Sequence, residues 1–251
     1  MRQLKRLSQV FLRDISFVQE YLDLADFSDK RVLEIGAGTG VITRYLAEHA
    51  KEVTALEVDE RLARELANGL RDVKNVNVIM GDARIHPLDA PVIVGFLPYH
   101  LSSPLLFRIL NSTFQDALLC LQKEFALRMI ASPDTPQYAR LSVMAQSLSD
   151  VEIWGIVPRT AFRPVPRVDS AFVHLVKNPK AHLDPQLVQL LFQHKNQSVK
   201  NALWHSRRSL SFPSPSDAKT RIARLPLASR RVRSLTLQEI EKLSITFQEW
   251  L

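Results

Sequence analysis

Along most of the chain, short apolar runs alternate with longer segments in which apolar residues recur every three or four positions. Short apolar runs rich in β-branched residues are typical of buried strands, and stretches of about ten residues with apolar positions three or four apart are typical of helices. The predicted strands cover residues 31–35, 52–57, 76–80, 91–94 and 117–122, and the predicted helices cover residues 40–50, 60–70, 103–111 and 124–130. Strands separated by such helices predict a doubly wound, mainly parallel α/β sheet.

Both ends of the chain depart from this alternation. A basic arm, residues 2–13, precedes a helical pattern over residues 14–26, and residues 151–157 and 171–176 are predicted to form a closing antiparallel pair of strands. After a break at residues 177–179, only helical spacing remains, over residues 185–194, 199–206, 216–223 and 236–250. The sequence therefore predicts an α/β domain over residues 1–177 and a small helical domain over residues 178–251.

The excess positive charge is confined to the second predicted domain. Residues 1–177 contain 21 Lys+Arg and 21 Asp+Glu, whereas residues 178–251 contain 12 Lys+Arg and 5 Asp+Glu, which accounts for the net charge of +7. A basic module beside a neutral one favours a polyanionic partner, with nucleic acid the leading candidate. A basic surface can also be merely solvated, so the individual contacts remain open.

Composition excludes several other classes of protein. Hydrophobic residues make up 46% of the chain and charged residues 24%, and no apolar run approaches the ~18 residues that a membrane span needs. The single cysteine, Cys120, excludes an internal disulfide or a cysteine zinc cluster. The histidines lack metal-ligand spacing. We therefore expect a cytoplasmic, monomeric protein with no metal and no membrane partner.

A glycine-rich turn, residues 33–40, joins the first predicted strand of the sheet to a helix. Its glycines permit a positive φ and let the backbone approach a ligand closely. The GxGxG pattern differs from the GxGxxG of dinucleotide sites, and the tighter turn fits a cofactor without a diphosphate, such as S-adenosylmethionine. A plain strand–helix turn explains some such patterns.

Acidic residues stand at the ends of the next two strands, Glu57 as the last residue of one and Asp82 just after the other. Glu57 is placed to accept hydrogen bonds from both ribose hydroxyls of a nucleoside, and Asp82 is placed to accept one from an adenine amine. Either carboxylate could instead cap a helix. Since the carboxyl ends of parallel strands are where such sheets bind ligands, two acids in register after a glycine turn predict a cofactor site.

The fourth strand leads into a loop with the sequence GFLPY, residues 95–99. Here the chain resembles, from end to end, the KsgA-type rRNA adenine N6-dimethyltransferases, whose relatives include the Erm methyltransferases. The other segments that carry the resemblance are residues 7–12, 122–126, 138–142, 162–170, 192–196 and 199–203. They match the family's GQNFL, QKEFA, YGRLS, FxPxPKVDS, FxxRxK and VRNAL segments.

The resemblance implies a Rossmann-like class I methyltransferase fold and methylation of N6 on adjacent adenosines near the 3′ end of small-subunit rRNA, in the assembling small ribosomal subunit. It implies an S-adenosylmethionine site made of Gln9, Phe11, Glu34, Gly36, Gly38, Glu57, Val58, Asp82, Ala83 and Gly95. The implied catalytic residues are Phe96, Leu97, Pro98, Tyr99 and Phe162. Of these, Tyr99 and Phe162 would stack on the flipped adenine.

Basic residues in both predicted domains are implied to contact the rRNA. They are Arg2, Lys5, Arg6, Arg140, Lys195, Lys200, Arg207 and Arg208. Arg140 is expected in a loop near the RNA face, although it could equally pair with an acid. Neutralising phosphates is the main role expected of such side chains.

Phe96 departs from the family, which usually has asparagine at this position. Phenylalanine offers no acceptor to N6, and losing one aligned acceptor costs ~3 kcal/mol, or roughly a hundredfold in rate. The sequence therefore predicts a methyltransferase that works through backbone carbonyls, slowly or with one methyl added, or else a non-catalytic ribosome assembly factor. The intact cofactor turn favours the enzyme. A DNA-binding transcription factor or a small-molecule methyltransferase of the same architecture is less favoured.

Overall fold

A computed structural model of the chain describes residues 10–210 and 212–248. Its strands are β1 (Phe11–Leu12), β2 (Arg31–Ile35), β3 (Glu52–Glu57), β4 (Val76–Met80), β5 (Val92–Phe96), β6 (Asp116–Gln122), β7 (Ser149–Val157), β8 (Phe162–Arg163) and β9 (Ser170–Lys177). Its α-helices are α1 (Gln19–Leu22), α2 (Val41–His49), α3 (Glu60–Gly69), α4 (Ser102–Leu110), α5 (Lys123–Met129), α6 (Arg140–Leu148), α7 (Pro185–Gln193), α8 (Val199–His205), α9 (Pro215–Ala223) and α10 (Leu237–Gln248).

Seven of these strands form one sheet in the order β4-β3-β2-β5-β6-β9-β7. The five strands from β4 to β6 are parallel, and β9 runs antiparallel to β6. The chain reverses its direction across the sheet between β2 and β5, and this switch point opens a crevice beyond the carboxyl ends of both strands. The predicted doubly wound α/β sheet is confirmed.

The five parallel strands begin and end within two residues of the predicted bounds. The single helix expected over residues 14–26 is wrong, because only Gln19–Leu22 is α-helical. Val18, with φ −135° and ψ −6°, leaves the helical region and separates α1 from the 3₁₀ turn before it. Within the described residues, no helix is long and apolar enough to cross a bilayer.

A two-stranded ribbon, β1 with β8, lies outside the main sheet. Phe11 pairs with Arg163 and Leu12 with Phe162, in antiparallel register. The ribbon continues through a hydrogen bond from the Arg13 backbone N–H to the Ala161 carbonyl at 2.8 Å. It joins the end of the N-terminal arm to a segment about 150 residues later, so its position is set by tertiary pairing.

The chain divides into two compact units. The first comprises residues 1–126 and 151–177, and the second comprises residues 127–150 and 178–251. The sequence placed residues 127–150 in the first domain, whereas the structure groups them with the second unit. Inside that unit α6 packs against α7, and the buried Tyr138 donates from its hydroxyl to the Leu235 carbonyl at 3.0 Å.

Local sequence explains where the helices of the second unit begin. The side chains of Asp184, Ser198 and Ser214 accept backbone N–H bonds at the starts of α7, α8 and α9. Proline follows the cap of α7 and of α9, where its missing N–H costs nothing. Buried aliphatic residues of α7 and α8, with Phe247 of α10, form the apolar interior of this unit.

Candidate active site

A cavity opens beyond the carboxyl ends of β2, β3 and β5, at the switch point of the sheet. The empty space of this cavity, counted together with its solvent-open mouth, is about 830 Å³. The sequence-predicted residues that line it are Phe11, Glu34, Gly36, Gly38, Glu57, Val58, Phe96 and Pro98. The sequence-predicted residues outside its lining, within the described part of the chain, are Asp82, Ala83, Gly95, Leu97, Tyr99, Phe162 and those of the second unit.

The glycine turn forms one wall of this cavity. Gly36 and Gly38 adopt φ of 80° and 56°, a region that residues with a Cβ rarely enter. The backbone N–H of Gly36 donates to the Leu56 carbonyl at 2.8 Å, which ties the turn to the end of β3. A Cβ added at Gly38 would lie 3.3 Å from the Phe11 ring. Glycine at this position is therefore favoured both by its φ and by the close approach of the Phe11 ring.

Glu57, at the end of β3, is buried and held by backbone donors. Its Oε2 accepts from the Gly38 N–H and its Oε1 from the Asp59 N–H, each at 2.8 Å. These bonds fix both the carboxylate and the turn beside it. Since each carboxylate oxygen has a second lone pair, Glu57 retains capacity for two further donors, such as the vicinal hydroxyls of a ribose.

Glu34, in β2, places a second buried carboxyl in the cavity wall. Its Oε2 accepts from the Thr43 hydroxyl of α2 at 2.6 Å. Burial raises the pKa of Glu34 to about 7, the Thr43 hydrogen bond opposes this rise, and the charge of Glu57 adds to it. A positive ligand beside the two carboxyls would favour the ionised form of Glu34.

Asp82 lies beyond the lining of the cavity, in the loop after β4. Both of its oxygens accept from the guanidinium of Arg84, and these hydrogen bonds hold the pKa of Asp82 below its usual range. Ala83, next along the loop, has its carbonyl bound by the Arg108 guanidinium of α4. Val58, which lines the cavity, is 49% exposed and offers an apolar surface to a base.

The loop after β5 supplies the opposite side of the cavity. Phe96 lies in its lining, and its ring packs 6.4 Å from that of Phe162 and 6.2 Å from that of Phe172, between centroids. The Pro98 carbonyl accepts from the Leu101 N–H at 2.8 Å and from the Ser102 hydroxyl at 3.3 Å. The Pro98 carbonyl is thus committed to the turn.

Tyr99 and Phe162, which are expected to stack on the flipped adenine, lie outside the lining of the cavity. The Tyr99 hydroxyl hydrogen-bonds the Ser170 hydroxyl at 2.8 Å, and burial raises the pKa of Tyr99. Phe162 is only 3% exposed and belongs to the hydrophobic core. The β1–β8 ribbon explains this burial, because Phe162 is paired with Leu12. Leu97 and Gly95 are buried as well.

Several lining residues were absent from the sequence-based set. They are Val10, Leu12, Ala37, Thr39, Val41, Ile42, His100 and Leu101. Thr39 and Ala37 belong to the glycine turn and could have been inferred from it. Val10 and Leu12 carry no chemical signal of their own and reach the cavity through the ribbon.

The basic residues predicted to contact RNA have varied surroundings in the second unit. Lys200 and Arg208 are exposed, and the guanidinium of Arg207 lies over the Trp204 ring at 4.3 Å. The Lys195 ammonium donates to the carbonyls of Pro136 and Tyr138 at 2.7 and 3.1 Å, so it joins residues 136–138 to the segment after α7.

Arg140 begins α6 and is partly buried, so the expectation that it lies in a loop is wrong. The predicted contacts Arg2, Lys5, Arg6 and Gln9 fall outside the described residues.

The side chains around the cavity fit S-adenosylmethionine. Two buried carboxyls match its positive charge and its hydroxyls, the glycine turn leaves room against the backbone, and Val58 offers an apolar surface to its base. No diphosphate would need to be held, which agrees with the shortness of the turn.

A family model, similar sequences and a solved structure all match enzymes of one kind. The family model described as "Ribosomal RNA adenine dimethylase" matches residues 2–230. A "Probable ribosomal RNA small subunit methyltransferase A" from Methanococcus maripaludis is 41% identical, over 84% of each chain. A protein with the same description from Pyrococcus abyssi is 36% identical, over 97% of this chain and 91% of its own. A dimethyladenosine transferase structure from Plasmodium falciparum superposes with a TM-score of 0.82, at 26% identity, over 95% of this chain and 98% of its own.

Proposed function

The chain belongs to the ribosomal RNA adenine dimethylase family and to the enzyme class of rRNA adenine dimethyltransferases, and from this premise we propose its substrate and site. It transfers methyl groups from S-adenosylmethionine to N6 of adjacent adenosines near the 3′ end of small-subunit rRNA, within the assembling subunit. The observation that carries the proposal is the joining of the glycine turn to Glu57 through the Gly38 N–H at 2.8 Å.

On the cofactor side, Glu57 binds the ribose hydroxyls, and the glycine turn admits the cofactor against the backbone. Asp82 accepts from the adenine amine, and Val58 packs on the base. When bound, S-adenosylmethionine supplies an electrophilic methyl group on a cationic sulfonium. The buried carboxyls of Glu34 and Glu57 stabilise that cation, because charge interactions are stronger away from bulk water.

On the target side, the chain positions an adenine without supplying a strong base. The N6 proton is lost after the nitrogen has been alkylated, so the site has to orient the amine rather than deprotonate it. Because the Pro98 carbonyl is already occupied, we assign the N6 acceptor to the Leu97 carbonyl. The Tyr99 ring offers a face to the base, and Phe96 excludes water beside it.

The second unit binds rRNA phosphates through its exposed cations. Lys200 and Arg208 are exposed and present an ammonium and a guanidinium group, and Arg207 over Trp204 combines a charge with an aromatic face. Such groups neutralise phosphates and stack on unpaired bases, so we expect affinity that falls steeply with salt. Binding of the assembling subunit is assigned to this basic surface.

Phe96 supports a second candidate function, that of an assembly factor with little or no activity. Its ring packs with Phe162 and Phe172, so the position that usually bears an acceptor has joined the aromatic core. A protein of this kind would bind the subunit and the cofactor and leave the adenosines unmethylated.

One experiment separates the two candidates. Labelled methyl groups are transferred from S-adenosylmethionine to small ribosomal subunits that lack the modification, and the nucleosides are then separated after digestion. N6-dimethyladenosine supports the full activity, and N6-monomethyladenosine alone ties Phe96 to product choice. Subunit binding without transfer, in a protein that binds the cofactor, overturns the enzymatic proposal. Glu57→Ala serves as the control that lacks a cofactor site.

A further inference from the structure

Asp82 is enclosed by the side chain of the residue two positions after it. Its Oδ1 accepts from the Arg84 backbone N–H at 2.8 Å and from Nε at 3.1 Å. Its Oδ2 accepts from Nε at 2.9 Å and from Nη2 at 2.6 Å. A carboxylate offers about four lone-pair sites. Three N–H groups of Arg84, one of them shared between both oxygens, therefore occupy most of the acceptor capacity of Asp82.

The backbone around this ion pair is held from two directions. The His86 N–H donates to the Asp82 carbonyl at 2.9 Å, which closes a turn. From α4, the Arg108 guanidinium donates to the carbonyl of Ala83 and, at 3.1 Å, to that of His86. The Arg84 side chain is 58% exposed and that of Asp82 24%. The guanidinium is therefore the part of the pair that can leave without disturbing the loop.

We propose that Arg84 competes with the cofactor's adenine for Asp82 and so sets the affinity of the cofactor site. The proposal rests on the proposed function, in which Asp82 accepts a hydrogen bond from the adenine amine. Guanidinium and amine both donate hydrogens to the same lone pairs, so one replaces the other, and the carboxylate keeps a donor throughout the exchange. Arg84 is thus a positioning residue that acts through Asp82.

The competition weakens the binding of S-adenosylmethionine and of its product S-adenosylhomocysteine equally, because both carry the same adenine. Uniform weakening of this kind raises KM without changing kcat. Exposed arginine–carboxylate pairs are weak, so the expected effect on affinity is about fivefold at most. Salt screens such a pair, so the competition also fades at high ionic strength.

The test is a double-mutant cycle on cofactor binding by the full chain. The Kd of S-adenosylhomocysteine is measured by calorimetry for the wild type, Arg84→Leu, Asp82→Asn and the double variant. Arg84→Leu is expected to tighten binding about fivefold. In the Asp82→Asn background the same change is expected to alter Kd less than about twofold, because an amide no longer holds the guanidinium.

Arg71→Leu is the matched control. It removes the same charge and opens another exposed arginine–aspartate pair, in which Arg71 Nε lies 3.5 Å from the Asp72 carboxylate. This variant is expected to leave Kd unchanged. In methyl transfer, Arg84→Leu is expected to lower KM for S-adenosylmethionine with kcat unaltered, a change that altered folding alone would not produce.

Each remaining outcome overturns a stated claim. Arg84→Leu without tighter binding, while Asp82→Asn still weakens it, refutes the competition and leaves the cofactor site standing. An Asp82→Asn change without effect in either background refutes both the competition and the role of Asp82 in holding adenine. A wild-type chain that does not bind S-adenosylhomocysteine refutes the proposed cofactor as well.

Discussion

The two sides of the cavity are built from different groups. On the cofactor side, formed at the ends of β2 and β3, the buried carboxyls of Glu34 and Glu57 lie beside glycine backbone. On the target side, formed by the loop after β5, Phe96 and Pro98 present an aromatic ring and a carbonyl that is already bonded. Under the proposed function, cofactor binding therefore depends on side-chain charge, whereas binding of the target amine depends on the position of a backbone carbonyl.

This difference indicates which changes each side tolerates. A carboxylate fixed by backbone N–H groups cannot be replaced without freeing those donors, so the cofactor side is sensitive to any substitution of Glu57. A backbone acceptor survives side-chain substitution, so the target side can lose its usual amide and retain its geometry. Four predictions test this contrast, and the largest effect is expected at Glu57.

Glu57→Ala should nearly abolish cofactor binding. The change removes the proposed ribose acceptor and leaves the Gly38 and Asp59 N–H groups unpaired, and hydrogen bonds to charged groups contribute about 1.5–3 kcal/mol each. We expect Kd for S-adenosylhomocysteine to rise about a thousandfold by calorimetry. Glu60→Ala, an exposed acid paired with Arg64, is the control. A rise below about tenfold would contradict the assignment.

Phe96→Asn should increase methyl transfer by restoring a side-chain acceptor on the target side. An aligned acceptor contributes roughly a hundredfold in rate, and single-turnover transfer to small subunits measures it. Phe96→Leu removes the ring without adding an acceptor and should give no increase. If both variants respond equally, the effect comes from repacking against Phe172 rather than from hydrogen bonding.

Glu34→Gln should remove a pH dependence of stability. The folded state raises the pKa of Glu34 from 4.5 to about 7, so the protonated carboxyl stabilises the fold fully below pH 4.5, and this contribution is lost as the pH rises through 7. Glutamine does not ionise in this range. The free energy of unfolding of the variant should therefore rise relative to that of the wild type by about 3 kcal/mol between pH 4.5 and pH 7.

Urea unfolding at pH 5, 6, 7 and 8, without cofactor, measures this difference for Glu34→Gln. Above pH 7 the gap between the two proteins should stay constant. Parallel stability curves for wild type and variant across the whole range would show that the carboxyl is already ionised in the folded protein.

Tyr99→Phe should have the smallest effect. It removes the hydroxyl that bonds Ser170 at 2.8 Å and keeps the ring, so we expect a loss of about 1 kcal/mol in unfolding free energy and a nearly unchanged transfer rate. Ser170→Ala should cost a similar amount, and the two changes together should be less than additive. A large loss of transfer in Tyr99→Phe would assign a chemical role to the hydroxyl.

The sequence was most informative about the cofactor side, because glycines and acids at strand ends can be recognised from the adjacent residues alone. The turn at residues 33–40 and Glu57 need only neighbouring strands in register, and the parallel sheet provides them. The strands themselves were recognisable from their short apolar runs, which end at the glycines and acids of the site.

Features set by tertiary pairing were not predictable in this way. Helix α6 begins after Ala139, which has no capping side chain, and its buried residues include Ser142 and Ser147, so apolar spacing alone does not mark it. The burial of Phe162 depends on its pairing with Leu12. The ion pair between Arg84 and Asp82 depends on side-chain conformation, which the sequence alone does not determine.

The β1–β8 ribbon has a consequence for cofactor exchange. Its strands have two residues each, yet Phe11 and Leu12 form part of the cavity wall. Ribbons this small are marginally stable by themselves, so we expect this wall to open far more often than the seven-stranded sheet unfolds. We therefore expect a bound cofactor to exchange through local opening of this wall as well as through the open mouth of the cavity.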